Sequence, residues 1–218
     1  MLAACVFSLV CIQGMLGAIR VTDINPAFGI VHGVLAQFIL CGAAILASTL
    51  TQAWKVGLAV DPELARKSRM WTLLAIGALF VQLVLAAMYR HLGSGHALLT
   101  HAGFALIATT LVLIAAFSLI RVARDSGGNR TLKRIGTFLM HGVGLQVALG
   151  LAAFFMLGSH GGGSDRVVMP DELAEAPPLP LVNVLIATAH QLIGACLLMA
   201  AALGAVWVRR VRTGPEAE

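Results

Sequence analysis

Charged residues are scarce in this chain: Asp, Glu, Lys and Arg together make up only 11% of its 218 residues. Apolar residues make up 59% and the mean hydropathy is +0.90, which excludes an ordinary soluble domain. About 20 helical residues cross a hydrocarbon core of about 30 Å. We therefore predict an all-α, polytopic transmembrane bundle. Its six spans cover about 2–19, 28–51, 70–89, 97–120, 135–157 and 182–208.

Carboxylates are absent from all six predicted spans. A proton relay built on membrane-embedded Asp or Glu is therefore not expected. The chain also shows no Cys-x-x-Cys pair, no phosphate-binding glycine loop and no evident Ser, His and Asp set of a hydrolase.

Cysteines are few, and all four fall inside apolar runs. Cys5 and Cys11 are six residues apart, which is about 240° around a helix, so they do not share a face. We interpret the cysteines as small packing residues rather than as disulfide partners or metal ligands. They are Cys5, Cys11, Cys41 and Cys196.

The basic residues alternate between linkers. They concentrate in the second and fourth linkers and after the last span, whereas the odd-numbered linkers at 20–27, 90–96 and 158–181 hold few. Because Lys and Arg mark cytoplasmic loops, this pattern predicts that both termini are cytoplasmic and that the odd linkers face outward. The net charge of +5 is thereby explained by topology and does not require a nucleic-acid partner.

A Gln and a His recur together along the chain. Gln13 is followed by His32 and Gln82 by His101, each 19 positions later, with Leu and then Gly or Ala shortly after the Gln. A third Gln-x-x-Leu-Gly begins at Gln146, and its His comes later, after a long Gly- and Pro-rich loop. That third histidine is His190. The spacing predicts three helical hairpins, each with a His just inside its second helix.

These three histidines lie on helices that start at the predicted outer face. At 1.5 Å per residue, His101 lies roughly 6 Å and His190 roughly 12 Å below that face. Ionisable groups at membrane depth are costly and usually functional. Imidazoles on two helices of a bundle commonly hold a haem iron from both sides. We therefore predict a haem-binding site between the fourth and sixth spans.

The neighbours of His101 and His190 partly suit a flat macrocycle. Most residues one helical turn away are small and leave room against the helix face, although Leu98 is bulky. Arg90, at the outer rim of the third span, is placed to meet a carboxylate such as a haem propionate. The small residues are Ala97, Ala105, Ala187 and Gly194.

Structural roles are the alternatives. A His in a membrane helix often only bonds to a neighbouring helix, and for the three Gln residues we favour such a packing role over contact with a cofactor. His141 lies in the other leaflet and is interpreted as structural. His91, His96 and His160 are expected at the outer water interface.

The order and spacing of several segments resemble the haem A synthase family. They are IQGMLGAIRV with VHGVLAQ, VQLVLAAMYRHLGSG with THAGFALIA, LQVALG, and ATAHQLIGACLL. The resemblance covers nearly all the spans. It implies a fold of two four-helix halves, with haem b held by two His in the second half and the substrate, haem O, in the first.

The resemblance also implies the activity. The family oxidises a ring methyl of haem O to the formyl group of haem A by successive hydroxylations, with water as the oxygen source. His101 and His190 match the haem b ligands, and His32 matches the second His of the substrate half and is our candidate catalytic residue. A role in haem biosynthesis and cytochrome oxidase assembly, haem O synthase as a partner and an unidentified electron acceptor are further expectations. The membrane would be a bacterial-type plasma membrane or the mitochondrial inner membrane.

The family's first hairpin, with its His and Glu, has no counterpart in this sequence. We therefore expect residues 1–69 to be a two-span remnant of the substrate half and residues 70–218 to be a complete haem b half. The chain is then a fragment, a product of a misplaced start, or a shortened member of the family. The rival hypotheses are a non-catalytic haem b electron carrier or haem-handling protein, and a helical scaffold without a cofactor.

Overall fold

The computed structural model describes residues 1–23, 25–159 and 180–212. Within these ranges six helices are long and apolar enough to span a membrane, which confirms the predicted all-α polytopic bundle. A short α3 and two two-residue strands, β1 and β2, complete the secondary structure of these ranges. The elements are α1 Leu2–Thr22, α2 Pro26–Thr49, α3 Gln52–Val56, β1 Leu58–Ala59, α4 Pro62–Leu92, α5 Gly95–Asp125, α6 Arg130–Ser159, α7 Leu181–Val208 and β2 Val211–Arg212.

Helices α4 to α7 form a closed ring of four. Each packs on its neighbours in the chain, and α4 also packs on α7, so that α5 and α7 face each other across the centre. Helix α2 lies against α4 and α7, and α1 packs on α2. None of the residues of α1 is buried within the chain. The predicted division at residue 69 stays a prediction, because α2 is in contact with the four-helix ring.

The tightly packed core lies toward one end of the ring, which we call the basic end because α5 ends and α6 begins there among Arg and Lys. Leu119, Leu132, Leu139 and Leu197 are fully buried in this core. Gly136 is required where α5 and α6 approach, because a Cβ there would lie 2.8 Å from the carbonyl oxygen of Ala116. At the opposite end, where His101 and His190 lie and which we call the histidine end, few side chains are fully buried.

Contacts at the basic end connect α2 and α3 to α7. The indole N–H of Trp207 donates to Ser48 Oγ at 2.8 Å, and the Trp207 ring meets Trp54 edge-on with centroids 5.3 Å apart. The guanidinium of Arg210 lies 4.8 Å above the Trp54 ring. Strands β1 and β2 pair in parallel, with Leu58 opposite Val211.

Two helices begin well before their predicted spans. Helix α4 begins at Pro62, where the Asp61 side chain accepts from the amide of Glu63, and α6 begins at Arg130, where Asn129 accepts from the amide of Leu132. The predicted membrane spans at 70–89 and 135–157 lie inside these longer helices. The hydropathy pattern shows where charged residues begin along the chain, but it does not show where a helix begins, because Lys and Arg are good helix formers. The N-cap residues set the start of the helix.

Candidate functional site

His101 of α5 and His190 of α7 face each other across the ring of four helices. Their ring centroids are 6.2 Å apart and their planes are inclined by 76°. Both side chains are partly buried, at the histidine end of the bundle. The structure therefore brings together the two residues that were predicted to hold a haem iron, although their helices are diagonal partners rather than neighbours.

Backbone carbonyls fix the protonation of both rings. Nδ1 of His101 lies 3.1 Å from the carbonyl oxygen of Gln82, and Nδ1 of His190 lies 3.1 Å from that of Gln146. Since a carbonyl can only accept, each Nδ1 carries a proton, and in the neutral imidazole Nε2 then keeps its lone pair. A His that donates Nδ1–H to a carbonyl is the usual form of a metal-ligating His.

The recurring Gln and His are hydrogen-bonded pairs. The amide of Gln146 also lies 3.2 Å from Nε2 of His190, and the amide of Gln13 lies 3.3 Å from Nε2 of His32. In the second hairpin the backbone carbonyl of Gln82 bonds His101. The side chains of Gln13 and Gln146 bond to the adjacent helix, as a packing role requires.

The small residue four positions after the Gln makes room for the His ring. A Cβ added at Gly150 would lie 2.9 Å from Cε1 of His190, and a Cβ at Gly17 would lie 3.4 Å from Cε1 of His32. The sequence contains this signal as Gln-x-x-Leu-Gly in the first and third hairpins.

His32 is oriented differently from the other two histidines. The amide of Gln13 donates to the backbone carbonyl of His32 at 3.1 Å, which fixes the amide orientation and makes Nε2 of His32 the acceptor. The ring proton is then on Nδ1, which is buried and has no hydrogen-bond partner among the described residues. Oε1 of Gln13 is buried in the same unpaired state. His32 thus has an unused donor and no His opposite it in the described chain.

Arg90 lies at the rim of the site. Its guanidinium donates to Oε1 of Gln191 at 2.5 Å, which connects α4 to α7 beside His190. Both side chains are exposed, so Arg90 is accessible to a carboxylate at the mouth of the site. Sequence reasoning missed Gln191, because a single polar residue at a helix end carries no spacing signal.

The small neighbours of the histidines differ in burial. Ala97 is buried, Ala105, Leu98 and Gly194 are partly buried, and Ala187 is exposed. Among the described residues no group of three or more His, Cys, Asp or Glu side chains gathers that could hold a metal ion.

The other histidines occupy separate places. His91 is partly buried against α2, where a Cβ at Gly29 would lie 2.7 Å from its ring. His96 is exposed, as predicted, and His141 is exposed on α6. His160 lies outside the described residues. The four cysteines are free thiols. Cys41 and Cys196 are partly buried, whereas Cys5 and Cys11 are exposed, so the packing role predicted for these two is not seen within the described chain.

The pair of His101 and His190 can be tested against the geometry of a six-coordinate iron. A bond of about 2.0 Å from metal to imidazole nitrogen puts each ring centre roughly 3 Å from the metal, so two opposed imidazoles have centres about 6 Å apart. The observed 6.2 Å agrees. The same distance fits a direct edge-to-face ring contact, so the fixed tautomers and not the distance favour ligation.

Comparison of the chain with protein-family models, with curated proteins and with solved structures found no match.

Proposed function

We propose that this chain binds a haem b between α5 and α7, with His101 and His190 as the axial ligands of the iron. The observation that carries this proposal is the facing pair of imidazoles, 6.2 Å apart, with both Nδ1 protons donated to backbone carbonyls. A scaffold would gain little from two such rings, because a polar group in a membrane helix needs only one partner. A bound haem b would supply one-electron transfer at this site.

The residues around the pair have separable tasks in this proposal. The carbonyls of Gln82 and Gln146 hold the rings in the metal-binding tautomer. The amide of Gln146 must move off Nε2 of His190 before that nitrogen can bind a metal, since one lone pair serves one partner. Arg90, exposed at the rim, would bind a propionate by a charge-assisted hydrogen bond, giving up its bond to Gln191.

We further propose that the chain is a haem A synthase-like oxidoreductase, which oxidises a ring methyl of haem O to the formyl of haem A. The support is the resemblance of its ordered segments to that family, together with the state of His32. Its Nδ1–H is buried and unpaired, and a buried donor without a partner is costly unless a ligand group satisfies it. His32 would therefore contact or orient the substrate porphyrin.

A haem b electron carrier or haem-handling protein is the second candidate. One observation favours it: among the described residues, no second His faces His32 as His190 faces His101. A substrate haem would then be held less firmly than the haem b. The two candidates share the haem b site and differ only in chemistry at the α1–α2 hairpin.

Production of haem A in cells separates the two candidates. We would express the chain in bacteria that make haem O but no haem A, and measure extracted haems by chromatography. The synthase proposal expects haem A with the wild-type chain and at least about a tenfold loss with His32→Ala, while haem b content is unchanged. Haem b without haem A supports the carrier. If His32→Ala made as much haem A as the wild type, the assigned role of His32 would be wrong.

Gly150 offers a test of ring placement that leaves both ligands in the chain. In Gly150→Val the new Cβ collides with Cε1 of His190, which must turn away from its position between Gln146 and the bundle centre. We expect binding of haem b to weaken by about 10- to 100-fold, the usual effect of disturbing the support of a metal ligand.

Gly144→Val is the matched control, since it lies on the same helix and a Cβ there meets nothing within 4 Å. Haem titration of the two purified variants, with helical content checked by circular dichroism, gives the comparison. Equal haem affinity in the two variants would show that the position of the His190 ring does not matter for binding.

A further inference from the structure

A groove of about 670 Å³ opens at the basic end of the bundle, between α6 and α7. One continuous stripe of α6 forms it, at helical spacing from Arg130 to Leu145, and Ile193 of α7 completes the wall. The groove is independent of the haem proposal, since it shares no residue with that site. Its α6 residues are Arg130, Lys133, Arg134, Thr137, Phe138, His141, Gly142 and Leu145.

The chemistry of the stripe changes with depth. The first turn carries three cations, the next turns carry a hydroxyl and an imidazole beside Phe138, and the deepest part is apolar. From Arg130 to Leu145 the helix rises about 22 Å, which is close to one leaflet of a bilayer that is about 40–45 Å thick with its headgroups. The order of cation, hydrogen-bond donor and apolar wall matches phosphate, glycerol ester and acyl chain.

No acidic residue that the structure describes pairs with the cations of the groove. The lining includes Arg130, Lys133 and Arg134 but no acidic side chain, and none of the three forms an ion pair with any residue that the structure describes. His141 is exposed and forms no hydrogen bond within the described ranges. A polar residue at membrane depth without a protein partner points to a ligand or to water.

We propose that this groove binds one anionic glycerophospholipid of the cytoplasmic leaflet. The phosphate is bound by Arg130, Lys133 and Arg134, the ester region by Thr137 and His141, and an acyl chain lies along Phe138, Leu145 and Ile193. Basic pockets between transmembrane helices on the cytoplasmic side are suited to such headgroups. The assignment agrees with the orientation that the basic linkers predict, because anionic lipid is concentrated on that side.

Native mass spectrometry of the full chain tests the proposal. The chain is purified in a mild detergent, stripped of lipid, and titrated with phosphatidylglycerol or with phosphatidylcholine of the same acyl chains. We expect tighter binding of phosphatidylglycerol, and a loss of about fivefold for each basic side chain removed in a triple variant of Arg130, Lys133 and Arg134 to Gln.

The matched control removes the same charge from the same end of the bundle. Arg69, Arg121 and Arg124 are exposed toward the basic ends of α4 and α5 but do not line the groove, so their triple change to Gln is expected to alter binding by less than about threefold. An equal loss of phosphatidylglycerol affinity in both triple variants would overturn the proposal, because it would show that the lipid is attracted by the general surface charge and not bound in the groove. So would the absence of any preference for phosphatidylglycerol over phosphatidylcholine.

A third variant keeps every charge. Leu145 is 49% exposed and lies in the apolar part of the groove. Leu145→Trp therefore narrows this part of the groove without disturbing the core. We expect this variant to bind phosphatidylglycerol more weakly than the wild type does. In the wild type, we expect that glycerol 3-phosphate does not compete with phosphatidylglycerol. Full competition by glycerol 3-phosphate would mean that the cations bind a free phosphate and would also overturn the proposal.

Discussion

Replacement of His101 or His190 by alanine is expected, on the haem b proposal, to lower bound haem by more than about tenfold in either variant. Each ring lies with Nδ1 on a backbone carbonyl, so in the proposed site the loss of either imidazole would leave one face of the iron without its ligand. Even a change in the support of a ligand commonly costs 10- to 100-fold. The Soret band and the haem content per chain measure the effect.

His96→Ala is the control for this result, because His96 lies on the same helix as His101 and is exposed. It is expected to bind haem like the wild type. His101→Met adds a second readout: a thioether ligand in place of imidazole raises the reduction potential of a haem. A wild-type chain without a Soret band, or a band that survives both alanine changes, would refute the haem b site and the synthase and carrier proposals with it.

Trp207→Ala is expected to destabilise the bundle by about 3–5 kcal/mol, the range for removing a large buried aromatic side chain. Trp207 is 2% exposed, meets Trp54 edge-on, and donates its indole N–H to Ser48. One substitution therefore leaves a cavity in the core and breaks the connection of α2 and α3 to α7. Unfolding in a mixed detergent titration gives the free energy of unfolding.

Two further variants assign this loss to its causes. Trp207→Phe keeps most of the ring but loses the bond to Ser48, for an expected cost of about 0.5–1.5 kcal/mol. Phe117→Ala removes an aromatic side chain that is 55% exposed at the same end of the bundle, and little change is expected. If Phe117→Ala were as damaging as Trp207→Ala, the stability of this end would not come from the buried core.

Some contacts of the candidate site can be predicted from local sequence, and others cannot. In the first two hairpins His32 and His101 each lie against the Gln that stands 19 residues earlier. A short turn between two antiparallel helices fixes which residues of the two helices lie at the same height along the bundle axis. The third pair, Gln146 and His190, is 44 residues apart and could be matched only through the repeated motif. Which nitrogen each Gln engages was not predictable, since it depends on ring rotation within a packed bundle.

The sequence by itself determined that this chain is a membrane bundle of six apolar helices, because long uncharged runs have no other stable place for their side chains and backbone. It also determined which His and Gln share a hairpin. Only the tertiary structure decided that α5 and α7 are diagonal, that their imidazoles meet while His32 faces no other His in the described chain, and that one face of α6 forms a basic groove. Those outcomes depend on how the helices rotate and pack around one another. Packing is determined by contacts between segments that are far apart in the chain, so local sequence patterns do not show it.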